Sequence, residues 1–173
     1  MKSSVCALLR LAVVGLLTIG VAHADEIAEV QRLQSAGQTE QALSRAEQYL
    51  ASKPKDAQMR FLRGVLLSDS HRNAEAMETF RQLIEDYPEL PEPYNNLATL
   101  YAAAGDYDRA KSALDQALRA NPSFAAAHEN LGDVLAMLAL RSYARAQQLE
   151  PANAALPRKL QLVRQLIGRP AAP

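Results

Sequence analysis

The chain has 173 residues, with 19 lysine and arginine residues against 19 aspartate and glutamate residues. This length suggests one domain or a short array of repeats. The charge is unevenly divided, because residues 25–140 carry 11 basic and 18 acidic side chains, whereas residues 141–173 carry 6 basic and 1 acidic. With 17 basic against 19 acidic side chains, residues 25–173 are acidic overall in spite of the basic C-terminal segment, which argues against a nucleic-acid partner.

The first 24 residues have the organisation of a secretory signal peptide. Lys2 and Arg10 precede or flank a short apolar segment, and residues 22–24, Ala-His-Ala, form a small-x-small cleavage site. The apolar segment is shorter than the roughly 20 residues of a membrane-spanning helix. We therefore predict cleavage between Ala24 and Asp25, a periplasmic or secreted location, and no stable membrane insertion afterwards. A retained N-terminal anchor is the alternative.

The single cysteine, Cys6, precedes this apolar segment. The cysteine that carries the lipid of a bacterial lipoprotein follows such a segment, so lipid attachment is not predicted. From residue 25 onward the sequence has no cysteine. An exported protein of this composition depends on packing rather than on disulfides.

Three series of residues then recur along the chain with one period. The period is 34 residues in each series: Pro54, Pro88 and Pro122; Ala42, Ala76 and Ala110; Gly64, Ala98 and Gly132. Proline ends a helix because it cannot continue one, and alanine or glycine lets two helices approach closely. A unit of this length made of two helices cannot bury its own apolar face, so successive units stack.

The best copy is residues 91–124, PEPYNNLATLYAAAGDYDRAKSALDQALRANPSF. It resembles the tetratricopeptide repeat, whose pattern is W-x2-L-G-x2-Y…A-x3-F…P. Tyr94 stands at the Trp position, followed by Leu97, Ala98 and Tyr101. The resemblance implies an all-α fold of helical hairpins that form a right-handed superhelix. The predicted repeats are residues 25–56, 57–90, 91–124 and a shortened 125–151.

The shortened repeat lacks the turn between its two helices. Its first half aligns with residues 34 positions earlier, and its second half with residues 29 positions earlier: His128, Leu131 and Gly132 with Tyr94, Leu97 and Ala98; Tyr143, Ala146 and Pro151 with Leu114, Ala117 and Pro122. Five residues are missing, so the sequence predicts one fused helix over residues 125–149. Its predicted apolar stripe is Leu131, Leu135, Leu138, Ser142, Ala146 and Leu149.

Residues 152–173 are predicted to form a C-terminal capping helix and tail. Leu160 and Val163 are expected to pack on the second half of the fused helix. There the side chains without a hairpin partner are predicted to be Leu138, Tyr143 and Leu149. A possible C-terminal contact surface is assigned to Arg141, Tyr143 and Arg145. It leads to the alternative function, a self-associating structural subunit, and to a possible homo-oligomer.

The family resemblance also implies that the first helix of each repeat lines a concave groove. The groove residues assigned in this way are Phe61, Val65, Glu92, Asn95, Thr99, Glu129 and Asp133. Glu129 and Asp133 are one helical turn apart on the same face. We therefore predict that the groove binds a protein partner through a basic peptide or helix.

Residues for catalysis are not apparent in the sequence. His71 occupies the place where Gly37 and Gly105 turn the chain, and His128 replaces a large aromatic, so both histidines are expected to be structural. No catalytic residue, metal ligand or cofactor is predicted. The favoured function is a non-enzymatic periplasmic interaction module, and the family resemblance implies a role in envelope assembly, secretion or export. An enzyme accessory domain is the third possibility.

Overall fold

The computed structural model describes residues 25–168, so the predicted signal peptide, its cleavage site and residues 169–173 lie outside the described part. Every regular element among the described residues is an α-helix. The helices are α1 (25–35), α2 (Thr39–Ser52), α3 (Ala57–Asp69), α4 (Asn73–Asp86), α5 (Pro91–Ala103), α6 (Tyr107–Ala120), α7 (Ala125–Leu149) and α8 (Leu156–Ile167). The predicted all-α fold of helical hairpins is confirmed.

The described residues form two compact units, 25–79 and 80–168, and the boundary falls within α4. In the first unit α1 and α2 are joined by a tight turn at Gly37, whose φ is +71°. Val30 of α1 and Ala42, Leu43 and Ala46 of α2 are buried. His71 turns the chain between α3 and α4 with φ +59°, which confirms its predicted structural role.

Arg63 in α3 stands where the repeat pattern places an apolar residue. Its guanidinium Nη1 donates to the Thr79 Oγ1 at 2.8 Å. Thr79 Oγ1 in turn donates to the Glu75 carbonyl oxygen. Thr79 is buried, and the Arg63 Nε lies 3.4 Å from the Glu47 carboxylate. The arginine therefore satisfies a buried hydroxyl and spans from α4 to α2 within the first unit.

In the second unit α5 and α6 form a regular hairpin. Gly105 has φ +79°, a conformation that glycine adopts without a Cβ penalty, and the Asp106 N–H donates to the Tyr101 carbonyl oxygen. Asp106 then caps α6, because its Oδ1 accepts from the Arg109 N–H at 3.0 Å. The core of this unit is a cluster of small and aliphatic side chains: Ala98, Ala110, Ala113, Leu114, Ala117, Ala127 and Val134.

The fused helix is confirmed, since α7 runs without a break for 25 residues from Ala125 to Leu149. Its predicted apolar stripe is buried only in part, and Leu149 lacks a hairpin partner, as predicted. Leu135 and Leu149 are 45% and 66% exposed, and Ser142 is exposed as well. Instead Ala127 and Val134 are buried in the cluster, with Leu131 and Leu138 packed against it. Leu138 therefore has a partner, contrary to the prediction.

The capping helix α8 packs on α7 as predicted. Leu160 is 3% exposed, Leu156 is also buried, and Val163 is half-buried. The Lys159 ammonium lies 5.4 Å from the centre of the Tyr143 ring, which places α8 on the side of α7 that carries Tyr143. Ala136, seven residues before Tyr143 on the same helical face, is buried. The opposite face of α8 leaves Leu162 and Leu166 exposed.

No helix between residues 25 and 168 is both long enough and apolar enough to cross a membrane.

Candidate protein-interaction site

Two asparagines hold α5 and α7 side by side in the second unit. The Asn130 Nδ2 donates to the Asn95 Oδ1 at 2.8 Å. Asn95 is buried and Asn130 is half-buried. Both helices run in the same direction, because each is joined to α6 by a loop of a few residues. This amide pair therefore fixes the register of the two helices that the sequence assigned to the groove.

Four predicted groove residues surround the amide pair. Glu92 and Thr99 lie about one turn on either side of Asn95 along α5, and Glu129 and Asp133 flank Asn130 along α7. All four are exposed. We call the surface that bears Glu92, Glu129 and Asp133 the acidic face. Among residues 25–168 these three carboxylates have no hydrogen-bond or ion-pair partner.

The other three predicted groove residues are placed differently. Asn95 lies beneath the acidic face, where its side chain binds Asn130 rather than standing open to a ligand. Phe61 and Val65 lie on α3 in the first unit, and both are half-buried. The second unit therefore brings together only the acidic and polar members of the predicted groove.

The three residues of the predicted C-terminal contact surface have partners inside the second unit. The Arg141 Nη2 donates to the Asp108 carboxylate of α6 at 2.9 Å. The Tyr143 ring is half-buried beside Lys159. The Arg145 Nη1 donates to the Gln148 Oε1 at 3.2 Å. Arg141 and Tyr143 thus connect α7 with α6 and α8 respectively.

His128 has the same role as the tyrosine that it replaces. Its ring Nε2 donates to the Pro122 carbonyl oxygen at 2.9 Å. In the preceding repeat the Tyr94 hydroxyl donates to the Pro88 carbonyl oxygen at 3.3 Å. A residue in the place of a large aromatic is expected to be partly buried, but His128 is exposed. The bond nevertheless holds the loop before α7, which agrees with the predicted structural role.

Sequence reasoning missed two features of the second unit. The first is the bond between Asn95 and Asn130, although both amides stand near the start of neighbouring first helices, which is the available signal. The second is the exposure of Leu135 on α7 and of Leu162 on α8, whereas Leu149 was already predicted to lack a hairpin partner. Within residues 25–168 no group of three or more His, Cys, Asp or Glu side chains is placed to hold a metal ion.

Helical hairpins with small residues at their crossings, followed by a capping helix, define the class of repeat scaffolds that bind other proteins. Models of the tetratricopeptide repeat match residues 27–91 and 67–134, which together span most of the described chain. The chain belongs to the tetratricopeptide repeat family.

Solved structures of the same fold are similar to this chain at low identity. TTC0263, a thermophilic tetratricopeptide protein of Thermus thermophilus, has a TM-score of 0.63 at 24% identity, covering 84% of this chain and 82% of that one. MamA has a TM-score of 0.60 at 16% identity, with 81% and 79% coverage. YrrB, described as having an unusual peptide-binding site, has a TM-score of 0.58 at 18% identity, with 82% and 75% coverage. These likenesses establish the fold.

Proposed function

We propose that the protein is a non-enzymatic interaction module whose acidic face binds a basic segment of a partner protein. The observation that carries the proposal is the exposure of Glu92, Glu129 and Asp133 around the Asn95–Asn130 pair, with no cation bound to any of them among the described residues. Three uncompensated carboxylates on two fixed helices form a preorganised negative surface.

The strength of this contact is limited by solvent. Exposed ion pairs contribute about 0.2–1 kcal/mol each, and salt screens them. The acidic face therefore selects the partner and orients it, while apolar contacts elsewhere supply most of the affinity. Phe61 and Val65, half-buried on α3, are the proposed apolar contacts of the first unit.

Peptide binding is a known use of this fold in one similar protein, YrrB, whose structure is described as containing a peptide-binding site. That likeness supports a peptide or a helix as the kind of ligand. The chemistry of the ligand comes from this chain alone, because the acidic face favours lysine and arginine side chains.

The proposed location is the periplasm, reached through cleavage of the signal peptide between Ala24 and Asp25. N-terminal sequencing of the exported protein should read from Asp25, and a chain that retains Met1 would indicate an anchor instead. In the periplasm the module would serve a system for envelope assembly, secretion or export. Chemical crosslinking in intact cells, followed by identification of the captured protein, would name the partner.

The test of the acidic face is a double charge reversal, Glu129→Lys with Asp133→Lys. It should weaken capture of the crosslinked partner and remove the salt dependence of binding, without lowering the melting temperature. Glu85→Lys with Glu89→Lys is the matched control, because both glutamates are exposed, lie four residues apart and stand outside the acidic face. Equal capture by the two double variants would place the binding surface elsewhere.

A further inference from the structure

Besides the acidic face, α7 has three faces, and only two of them are covered. Ala127 and Val134 belong to the core cluster with α5 and α6. Tyr143 lies beside Lys159 of α8. The third face bears His128, Gly132, Leu135, Ser142 and Leu149, which recur at helical spacing along the whole of α7 and are all exposed. We call this third surface the open face.

The open face is the surface that the second helix of a repeat normally covers. In the α5–α6 hairpin the equivalent of Gly132 is Ala98, which is 1% exposed and packs in the cluster with Ala110 of α6. A Cβ added at Gly132 would meet nothing within 4 Å. The last repeat therefore has a small residue, Gly132, at the crossing position, but no helix within residues 25–168 packs against it as α6 packs against Ala98.

The chain nevertheless carries the sequence of that second helix. With the five-residue deletion counted, Ala139, Ser142 and Ala146 in the second half of α7 correspond to three buried alanines of α6: Ala110, Ala113 and Ala117. Whereas the three alanines are buried, Ser142 is exposed and Ala139 and Ala146 are half-exposed. Because α7 is one continuous helix, its second half cannot fold back onto its own first half.

We propose that a second copy of this chain covers the open face. The two α7 helices pack antiparallel, so that Ala139 of each copy lies against Gly132 of the other, as Ala110 lies near Ala98 within one chain. Loss of a turn between two helices converts an intrachain hairpin into an exchange of helices between copies, which is a common route to dimers. The two contacts are related by twofold symmetry.

The surface is large enough for such a dimer. The segment from residue 139 to 149 is about 16 Å long, and half the side of a helix about 10–12 Å wide is roughly 250–300 Å². Two symmetric contacts, each with two sides, bury about 1,000–1,200 Å², which reaches the lower range of specific interfaces. The new interface would also be continuous with the core cluster, through Leu131 and Leu138.

Engineered cysteines test the predicted register, in a background carrying Cys6→Ser. The double variant Gly132→Cys with Ala139→Cys should give a disulfide-linked dimer on mild oxidation. Within one helix these positions are seven residues, about 10 Å, apart, so an intrachain disulfide is excluded. Each single variant should crosslink at least about tenfold less. Equal crosslinking by Gly132→Cys alone would overturn the antiparallel arrangement.

Gly132→Leu tests the same contact without a covalent crosslink. The side chain has open space in the single chain, so the fold should be retained, but it would collide with the second copy. Sedimentation equilibrium should show the unaltered protein as a concentration-dependent dimer and this variant as a monomer. Glu129→Leu adds the same side chain on the acidic face and should leave the dimer intact. An unaltered protein that stays monomeric at every concentration, with no crosslink in the double cysteine variant, would contradict the proposal.

A restored turn provides a second variant. Insertion of Gly-Asp-Tyr-Asp-Arg, the residues 105–109 of the preceding hairpin, between Leu138 and Ala139 replaces the missing positions. The second helix can then fold back onto Gly132 of its own chain, and the dimer should be lost while helical content by circular dichroism is kept. A restored-turn variant that remains folded and still dimerises like the unaltered protein would show that another surface makes the dimer.

Discussion

The α5–α6 hairpin and α7 are two versions of one repeat, and they differ by a turn of five residues. In the hairpin, Gly105 and Asp106 reverse the chain and α6 covers the small residue Ala98. In α7 the reversal is missing, Gly132 faces open space, and Leu135 is 45% exposed. The comparison shows that the apolar pattern of a repeat does not by itself bury its side chains. A turn must also bring the second helix back.

The largest difference in lost stability is expected between a leucine of α6 and a leucine of α7. Leu114→Ala in α6 removes a fully buried side chain from the cluster and should lower the free energy of unfolding by about 2–5 kcal/mol. Leu135→Ala on the open face should change the stability of the monomer by no more than about 0.5 kcal/mol. Urea denaturation of both variants at low protein concentration measures the difference. Similar losses would mean that Leu135 is buried in solution.

A proline distinguishes one helix from two. Ser142→Pro should cost about 3 kcal/mol or more, because proline removes the N–H donated to the Leu138 carbonyl and its ring clashes within a helix. Ser142→Ala is the control, and it removes only the bond from the Ser142 hydroxyl to the Leu138 carbonyl oxygen. Unfolding free energies and circular dichroism provide the measurement. A proline variant as stable as the alanine variant would indicate a hairpin turn at this position.

The continuity of α7 could be predicted from the sequence, because the two alignments of the last repeat differ by five positions and no turn residue is left between them. The sequence did not predict which side chains of α7 are buried. The predicted stripe included Leu135 and Leu149, since both are large and apolar at helical spacing. Those positions face the missing second helix, so their spacing identifies a packing surface but not whether anything covers it.

The candidate site was predictable to a similar degree. The family pattern placed Glu92, Glu129 and Asp133 on first helices, and the structure places all three around one amide pair. The family pattern did not reveal that the Asn95 side chain binds Asn130. The sequence shows only that both side chains are polar amides on first helices. The register of α5 against α7 is needed to show that they bind each other.

Two glycines of the second unit should respond in opposite directions to alanine. Gly105→Ala forces a side chain into a left-handed conformation and should destabilise the hairpin by about 1–2 kcal/mol. Gly132→Ala lies within a helix, has space for its Cβ, and should stabilise the protein by about 0.8–1 kcal/mol through helix propensity. Thermal unfolding of the two variants checks both signs. A loss of stability in Gly132→Ala would show that a neighbouring group already occupies the open face.

The smallest effect concerns the helix caps. The Asp106 carboxylate caps α6, whereas Phe124, the N-cap residue of α7, makes no side-chain cap bond. The Arg109 backbone N–H, together with the Arg109 guanidinium, lowers the pKa of the Asp106 carboxyl. A lowered pKa means stabilisation that is complete above the unfolded value of about 3.9 and is lost as the pH falls through the folded value.

Comparison of Asp106→Asn with the unaltered protein isolates this cap. The difference in unfolding free energy should be constant near neutral pH and should shrink once the pH falls below about 4. Urea titrations over this range measure it. A difference that persists at full size well below the folded pKa would show that the charge of Asp106 does not stabilise α6.

The length of α7 in solution tests the central claim most directly. Spin labels at Glu129 and Gln148, both exposed, are 19 residues apart, which corresponds to about 28 Å along a continuous helix. Pulsed electron resonance on labelled protein diluted into unlabelled protein reports the distance within one chain. A single distribution near 28 Å, allowing for the length of the labels, is the predicted result. A distribution at much shorter distances, as expected if the two halves packed side by side with their axes about 8–10 Å apart, would show that the last repeat folds back on itself and would contradict the account.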